Sequence, residues 1–141
     1  MNQQHQNTNA KKPFDYSVDV IIPTYHSDDK LDKLLKMLYK QTVIPDRVII
    51  LHTQDYEGEK QLLPEIEGSN ITVEPISKKD FDHGGRRKYG ASLSDADILV
   101  FMTQDAVPAD EFLIEKLLEP YEDTTIAASY ARQLPASDCN L

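Results

Sequence analysis

Short apolar runs alternate with leucine-spaced segments along most of this chain. Residues 18–22 (VDVII) are rich in β-branched side chains, which predicts a buried strand ending at Pro23. Ser27 follows as a helix N-cap, with Asp28 and Asp29 in the first turn, where acids complement the helix dipole. Leu31, Leu34, Leu35 and Leu38 recur at i, i+3, i+4 and i+7, one apolar face of a helix that Pro45 closes. Residues 47–51 (RVIIL) predict a second strand. Residues 53–68 are acidic and polar, with room for a short helix at 59–63. Residues 71–76 (ITVEPI) predict a third strand, and Pro75 places it at an edge or at its own end. After a polar loop at 77–83, Gly84 and Gly85 lead into a helix over 86–93. Residues 97–102 (DILVFM) predict a fourth strand. A further helix starts at Pro108 or Asp110, with Leu113, Ile114, Leu117 and Leu118 on one face, and 125–130 (TIAASY) predict a fifth strand.

Strands alternating with helices imply an α/β domain, a mostly parallel, Rossmann-like sheet with helices on both faces. The strands read as continuous apolar runs, as they do when both faces of a sheet are covered. The expected domain spans 16–141. Residues 1–15 are almost all polar and cannot bury enough surface to offset the entropy of ordering, so they read as a disordered leader.

Charge and composition narrow the partners. Lys plus Arg number 15 against 24 Asp plus Glu, a formal charge of −9, which argues against nucleic acid, because backbone phosphates need a cationic face. No apolar run nears the ~20 residues that span a bilayer, so no transmembrane segment is expected. The single cysteine, Cys139, excludes an internal disulfide framework and a Cys-rich zinc site. The first residues lack the apolar stretch of a secretory signal, which leaves the cytoplasm as the default location.

In open α/β sheets ligands bind beyond the carboxyl ends of the strands. Four polar segments fall there: Pro23–His26, His52–Asp55, Asp80–Arg87 and Thr103–Asp105. Asp105 follows the fourth strand and is either a hard oxygen ligand for Mg²⁺ or Mn²⁺ or a turn aspartate ahead of Pro108. Gly84 and Gly85 at a helix start permit close approach to an anion, and Arg86 or Arg87, about 100° apart, adds forked donors. The alternative is a glycine turn with two solvated arginines. Tyr25 offers a ring to a base or packs over the sheet end, and Asp55 and Gln54 contact a base or ribose or simply line a loop. His26 and His52 lack metal-ligand spacing. No GxGxxG, GxxxxGK[ST] or GxSxG motif is present, which disfavours dinucleotide enzymes, P-loop NTPases and α/β-hydrolases.

The segments VDVIIPTYHSDDKLDKLLKMLYKQT, RVIIL and DFDHGGRRKYGASLSDADILVFMTQDAVPAD together resemble glycosyltransferase family 2, which has a GT-A fold, and its rhamnosyltransferase-like branch in particular. The resemblance runs from about Val18 to about Arg132 and implies the nucleotide-sugar-binding portion of that fold. It implies that Pro23, Thr24, Tyr25 and Asp55 line the nucleotide pocket. It implies that His83, Gly84, Gly85 and Arg87 lie beside the sugar diphosphate, with Gln104 nearby. Asp105, the last acid of a D-x-D-like element here reading TQD, is the implied ligand of a divalent metal. Arg86 and Lys88 depart from the Thr and Asn that members often carry.

The resemblance also implies that the acceptor half of the domain, with its catalytic base, is missing after Arg132. The implied activity is inverting transfer of a sugar, rhamnose from dTDP-rhamnose or another dTDP- or UDP-sugar, to a glycan or lipid-linked acceptor in cell-wall or surface polysaccharide synthesis. The full-length enzyme would then work in the cytoplasm or peripherally at the inner membrane face. The alternative is a nucleotide-sugar-binding module without turnover. A nucleotidyltransferase would need a glycine-rich loop where PTYHSDD stands. Self-association through the truncated face is expected, because such a face leaves sheet edges open.

Overall fold

The apolar runs pair into one four-stranded parallel sheet. A computed structural model of the chain describes residues 15–80 and 83–132. Strand β1 is Val18–Thr24 and is followed by helix α1, Asp29–Leu38. Strands β2, Arg47–Gln54, and β3, Ile71–Ser77, come next, then a 3₁₀ turn at Lys78–Asp80. Helix α2, His83–Ser92, leads to β4, Ile98–Phe101, and then to α3, Leu113–Leu118, which runs into a 3₁₀ turn at Glu119–Glu122. The strand order is β3-β2-β1-β4, with all strands parallel, so the order in which strands are added reverses at β1, where β4 joins its other side.

Alternate residues of each strand enter two cores, the period-two consequence of the pleat. On one face Val18, Val20, Ile22, Val48, Ile50 and Val100 pack with Leu31, Leu34, Leu35 and Leu38 of α1 and Ile114 and Leu118 of α3. The four α1 leucines are fully buried, worth about 2 kcal/mol each. On the other face Ile21, Ile49, Leu51 and Ile76 form a second cluster, and Gly90 of α2 lies against Ile21 and Leu51. Helices therefore cover both faces of an α/β sheet, as the alternation implied. The proline strand, β3, is an edge strand.

Several boundaries differ from the sequence pattern. Pro23 does not end β1; it sits in register with Leu51, and the strand continues to Thr24. The N-cap of α1 is Asp28 rather than Ser27: the Asp28 carboxylate accepts from the Lys30 N–H at 2.9 Å, while the Ser27 hydroxyl accepts from the Gln61 amide. No helix forms at 59–63: Glu59 and Gln61 bond other loops, and Pro64 disfavours helical backbone at Leu63. Helix α2 starts three residues before the expected 86–93. Helix α3 begins only at Leu113, where Gln41, from the α1–β2 turn, accepts the Ile114 N–H at 3.1 Å and donates to the Asp110 carbonyl at 2.8 Å. Residues 125–130 are not a strand. Ile126 and Tyr130 face solvent, and extended backbone without a neighbouring edge gains no ladder. Residues 1–14 of the expected leader, and Cys139, lie outside the described residues. Among the described residues no helix is long and apolar enough to cross a membrane.

Candidate functional site

The site is built where β1, β2, β3 and β4 end on one rim. Thr24, the last residue of β1, is buried, and its hydroxyl donates to Gln61 Oε1 at 3.0 Å. Gln61 donates in turn to Ser27 at 2.8 Å, so one glutamine from the irregular β2–β3 segment holds both sides of the β1 loop. His26, at the loop tip, has φ of +50°, a left-handed conformation that most side chains avoid.

Asp55, just past β2, is a hub. It accepts from the Tyr25 hydroxyl at 2.9 Å, pairs with His26 Nε2, and lies 3.4 Å from Lys78 Nζ. The His26 ring stacks on the Tyr25 ring with centroids 3.9 Å apart, and the Lys78 ammonium stands 5.6 Å from the Tyr25 ring centre. One face of the tyrosine offered to a base is thus already covered. His26, then the Tyr25 hydroxyl, hold the Asp55 carboxyl down at about 2. The Tyr25 hydroxyl and Asp55 raise the Lys78 ammonium above its ordinary value.

Glu59 shapes this hub from behind. Its carboxylate accepts the Asp55 N–H at 3.3 Å, and its carbonyl accepts the Gln54 amide at 2.9 Å. Its other oxygen lies 3.1 Å from Nε2 of buried His52, close enough for an ion pair but out of line for a hydrogen bond. His52 and Glu59 line an open cleft of about 440 Å³ together with Asp28, Asp32 and Gln61.

The β4 side is tied to the same hub. Gln104 Oε1 accepts the Tyr25 N–H at 2.8 Å and Gln104 Nε2 donates to the Tyr25 carbonyl at 3.1 Å. The next residue, Asp105, is exposed and accepts from the Thr103 hydroxyl at 3.0 Å. Across the rim, His83 opens α2, and Gly84, Gly85 and Arg87 are exposed in its first turns. A Cβ on Gly84 would meet nothing within 4 Å, so no described neighbour demands glycine there. Arg86, in contrast, is buried at 7% exposure, and burial pushes its guanidinium pKa down. One arginine faces inward and one outward, as adjacent helical positions require.

Tyr25, Asp55 and Gln104 are therefore gathered in one hydrogen-bonded group, with Pro23 and Thr24 at the end of β1 beside it, Asp105 adjoining it and Gly84, Gly85 and Arg87 on α2. The sequence places His26 on the rim only as a loop histidine without metal-ligand spacing, and it does not single out Lys78, Glu59 or Gln61. Lys78 carried a signal, a cation directly after an apolar strand on the same rim; Glu59 and Gln61, in an irregular stretch, carried none.

Asp55 makes a testable prediction. A carboxyl depressed from its ordinary 3.8 to about 2 takes up protons in the unfolded chain first. Its stabilising contribution is present in full above about 3.8 and is lost as the pH falls through about 2. Carbon-detected titration is expected to place the Asp55 midpoint near 2 and to move it upward in His26→Ala. An unmoved midpoint in that variant would remove His26 as the main cause.

A family model described as glycosyl transferase family 2 matches residues 19–140. The chain belongs to glycosyl transferase family 2. The O-antigen chain rhamnosyltransferase RfbN of Salmonella typhimurium (strain LT2) is 36% identical over 124 residues, 87% of this chain and 39% of that protein. The O-antigen chain rhamnosyltransferase WbaN of Salmonella anatum is 31% identical over 126 residues, 88% of this chain and 39% of that protein. The chain thus spans about two fifths of the length of these curated relatives. The family 2 match includes every rim residue described above.

Proposed function

We propose that this family 2 chain, one domain over 16–141, forms the donor side of an enzyme transferring rhamnose from a nucleoside diphosphate sugar. The acceptor is a hydroxyl of a glycan or lipid-linked oligosaccharide, in assembly of a surface polysaccharide, with the enzyme in the cytoplasm or at the inner membrane face. The single observation that carries this reading is the joining of the β1, β2, β3 and β4 ends into one rim group around Tyr25 and Asp55, at the point where the strand order reverses. The relatives' rhamnosyltransferase names supply the sugar.

Each rim residue has a role that its chemistry suits. Tyr25 and Asp55 receive the base. Arg87 and the first N–H groups of α2 face the diphosphate, where forked donors and the helix dipole favour anionic oxygens. Asp105 is the residue that would hold a divalent metal. Among the described residues no group of three or more acidic, His or Cys side chains could cage an ion. A single exposed carboxylate does fit Mg²⁺ or Mn²⁺ taken up with substrate phosphates, since such ions commonly use one or two carboxylates and keep several waters. When bound, the ion neutralises charge on the departing diphosphate. Arg87 adds to that stabilisation from the chain itself. In-line attack by the acceptor hydroxyl inverts the sugar carbon. The alternative reading is donor binding without turnover.

Calorimetry with a panel of dTDP- and UDP-sugars, with and without Mn²⁺, tests this. Binding strengthened by Mn²⁺ is expected, weakened roughly 10-fold in Asp105→Ala and in Arg87→Ala. Absence of binding to every nucleotide sugar overturns the proposal, and binding indifferent to both Mn²⁺ and Asp105→Ala removes the metal role. Turnover with an acceptor separates the two readings.

A further inference from the structure

Between β1 and β4 the backbone ladder stops early. Its last registered pair is Ile21 with Phe101, and the next bond runs from the Met102 N–H to the Ile21 carbonyl at 3.0 Å. β1 continues three residues further, paired with β2 alone on its other side. Past Met102 the chain makes a tight turn, with Ala106 N–H bonded to the Thr103 carbonyl at 3.1 Å and Val107 N–H to the Asp105 carbonyl at 3.0 Å. No registered β-pair anchors this turn to β1. The half-buried Gln104 amide stands in for the missing rung: it pairs with the Tyr25 peptide through both donor and acceptor, as a neighbouring strand would.

The consequence is a continuous line across the rim. Asp105 is the next residue after Gln104, Gln104 is bonded to the Tyr25 backbone, and the Tyr25 hydroxyl is bonded to Asp55. We propose that Gln104 is a positioning residue rather than a sugar-contacting one: its two-point clasp holds the Asp105 turn at a set place against the Tyr25 loop, so that the metal side and the base side of the donor site act together. This deepens the donor-binding role given above and rests on it. An amide is suited to the task because it offers one donor and one acceptor in one plane. Glutamate has no donor for the Tyr25 carbonyl when ionised, and methionine keeps the length with neither strong donor nor strong acceptor.

The test compares wild type with Gln104→Met and Gln104→Glu in calorimetric titrations with dTDP and dTDP-rhamnose, each with and without Mn²⁺. The quantity read is the factor by which Mn²⁺ strengthens binding. Partners that orient a metal ligand are commonly worth 10–100-fold, so that factor is expected to shrink at least about 10-fold in both variants. Metal-free binding is expected to stay within about threefold, because the Tyr25 and Asp55 side chains remain paired. Hydrogen exchange gives a readout independent of any ligand: the Tyr25 amide is expected to be protected in wild type and to lose protection in Gln104→Met, which has no strong acceptor, but not in Gln104→Glu, whose carboxylate still accepts the Tyr25 N–H. Should Gln104→Met fail to fold, Gln104→Glu carries the comparison. An unchanged Mn²⁺ factor overturns the clasp. So does an equal loss of metal-free and metal-loaded binding, which is what plain structural damage produces. A wild-type protein that binds no nucleotide sugar overturns the donor reading itself and this coupling with it, an outcome distinct from intact binding with an unaltered Mn²⁺ factor.

Discussion

Gly90→Val is expected to destabilise the protein by about 3 kcal/mol, the upper range for forcing atoms into a packed core. Gly90 lies in the third turn of α2, pressed on the sheet. A Cβ there would stand 2.8 Å from Cγ2 of Ile21 and 3.0 Å from Cδ1 of Leu51. Both neighbours are fully buried, so neither can swing into solvent. The only relief is to lift the helix. Gly90→Ala meets the same first contact but gains roughly 1 kcal/mol of helix propensity, so its net cost is expected to be about 1 kcal/mol. For Gly90→Val thermal unfolding is expected to shift down by roughly 10 °C. The same helix carries Gly84, Gly85 and Arg87 at its rim end, so lifting it displaces the proposed diphosphate side as well. A valine variant with wild-type unfolding temperature would show that α2 does not bear on the sheet this closely.

The second large effect lies at the opposite, amino end of the sheet. Asp19→Ala is expected to cost about 3 kcal/mol, the scale for removing one partner of a buried charged pair. Asp19 is 5% exposed on β1 and receives the Ser94 hydroxyl as well as Arg47 Nη2, which lies 3.4 Å away. The same guanidinium nitrogen donates to the Leu93 carbonyl, beyond the end of α2. One carboxylate thus joins β1, β2 and the α2–β4 connection. Arg47 is partly exposed and regains some water when its partner is lost, which keeps the figure from the top of the range. Urea unfolding at neutral pH is the measurement. A midpoint within error of wild type would mean that the pair is neutral to stability. Nucleotide binding is expected to survive at low denaturant, because the group sits far from the rim that holds Asp55.

Much of the scaffold was legible from spacing. The leucines of α1 and the β-branched runs of β1 and β2 leave no other way to bury so much apolar surface, and the sheet follows from them. Strand ends were harder to read. Thr24, His52, Thr53 and Gln54 are polar, yet they continue β1 and β2 because their peptides find partners in the adjacent strand. The segment 125–130 has strand-like composition and no partner strand among the described residues, so it stays irregular. Pairing is a property of the neighbour, not of the segment.

For the site, sequence order alone dictated that Tyr25, Asp55, His83–Arg87 and Asp105 follow strand ends, and parallel strands must put such residues on one rim. Which arginine turns inward, that Asp55 is engaged by Tyr25, His26 and Lys78, and that Gln104 grips the Tyr25 backbone were settled only by packing. Helical spacing places Arg86 and Arg87 about 100° apart but does not say which meets the sheet. Hydrogen bonds between residues 79 positions apart, such as Gln104 with Tyr25, exist only once β4 has crossed to the far side of β1.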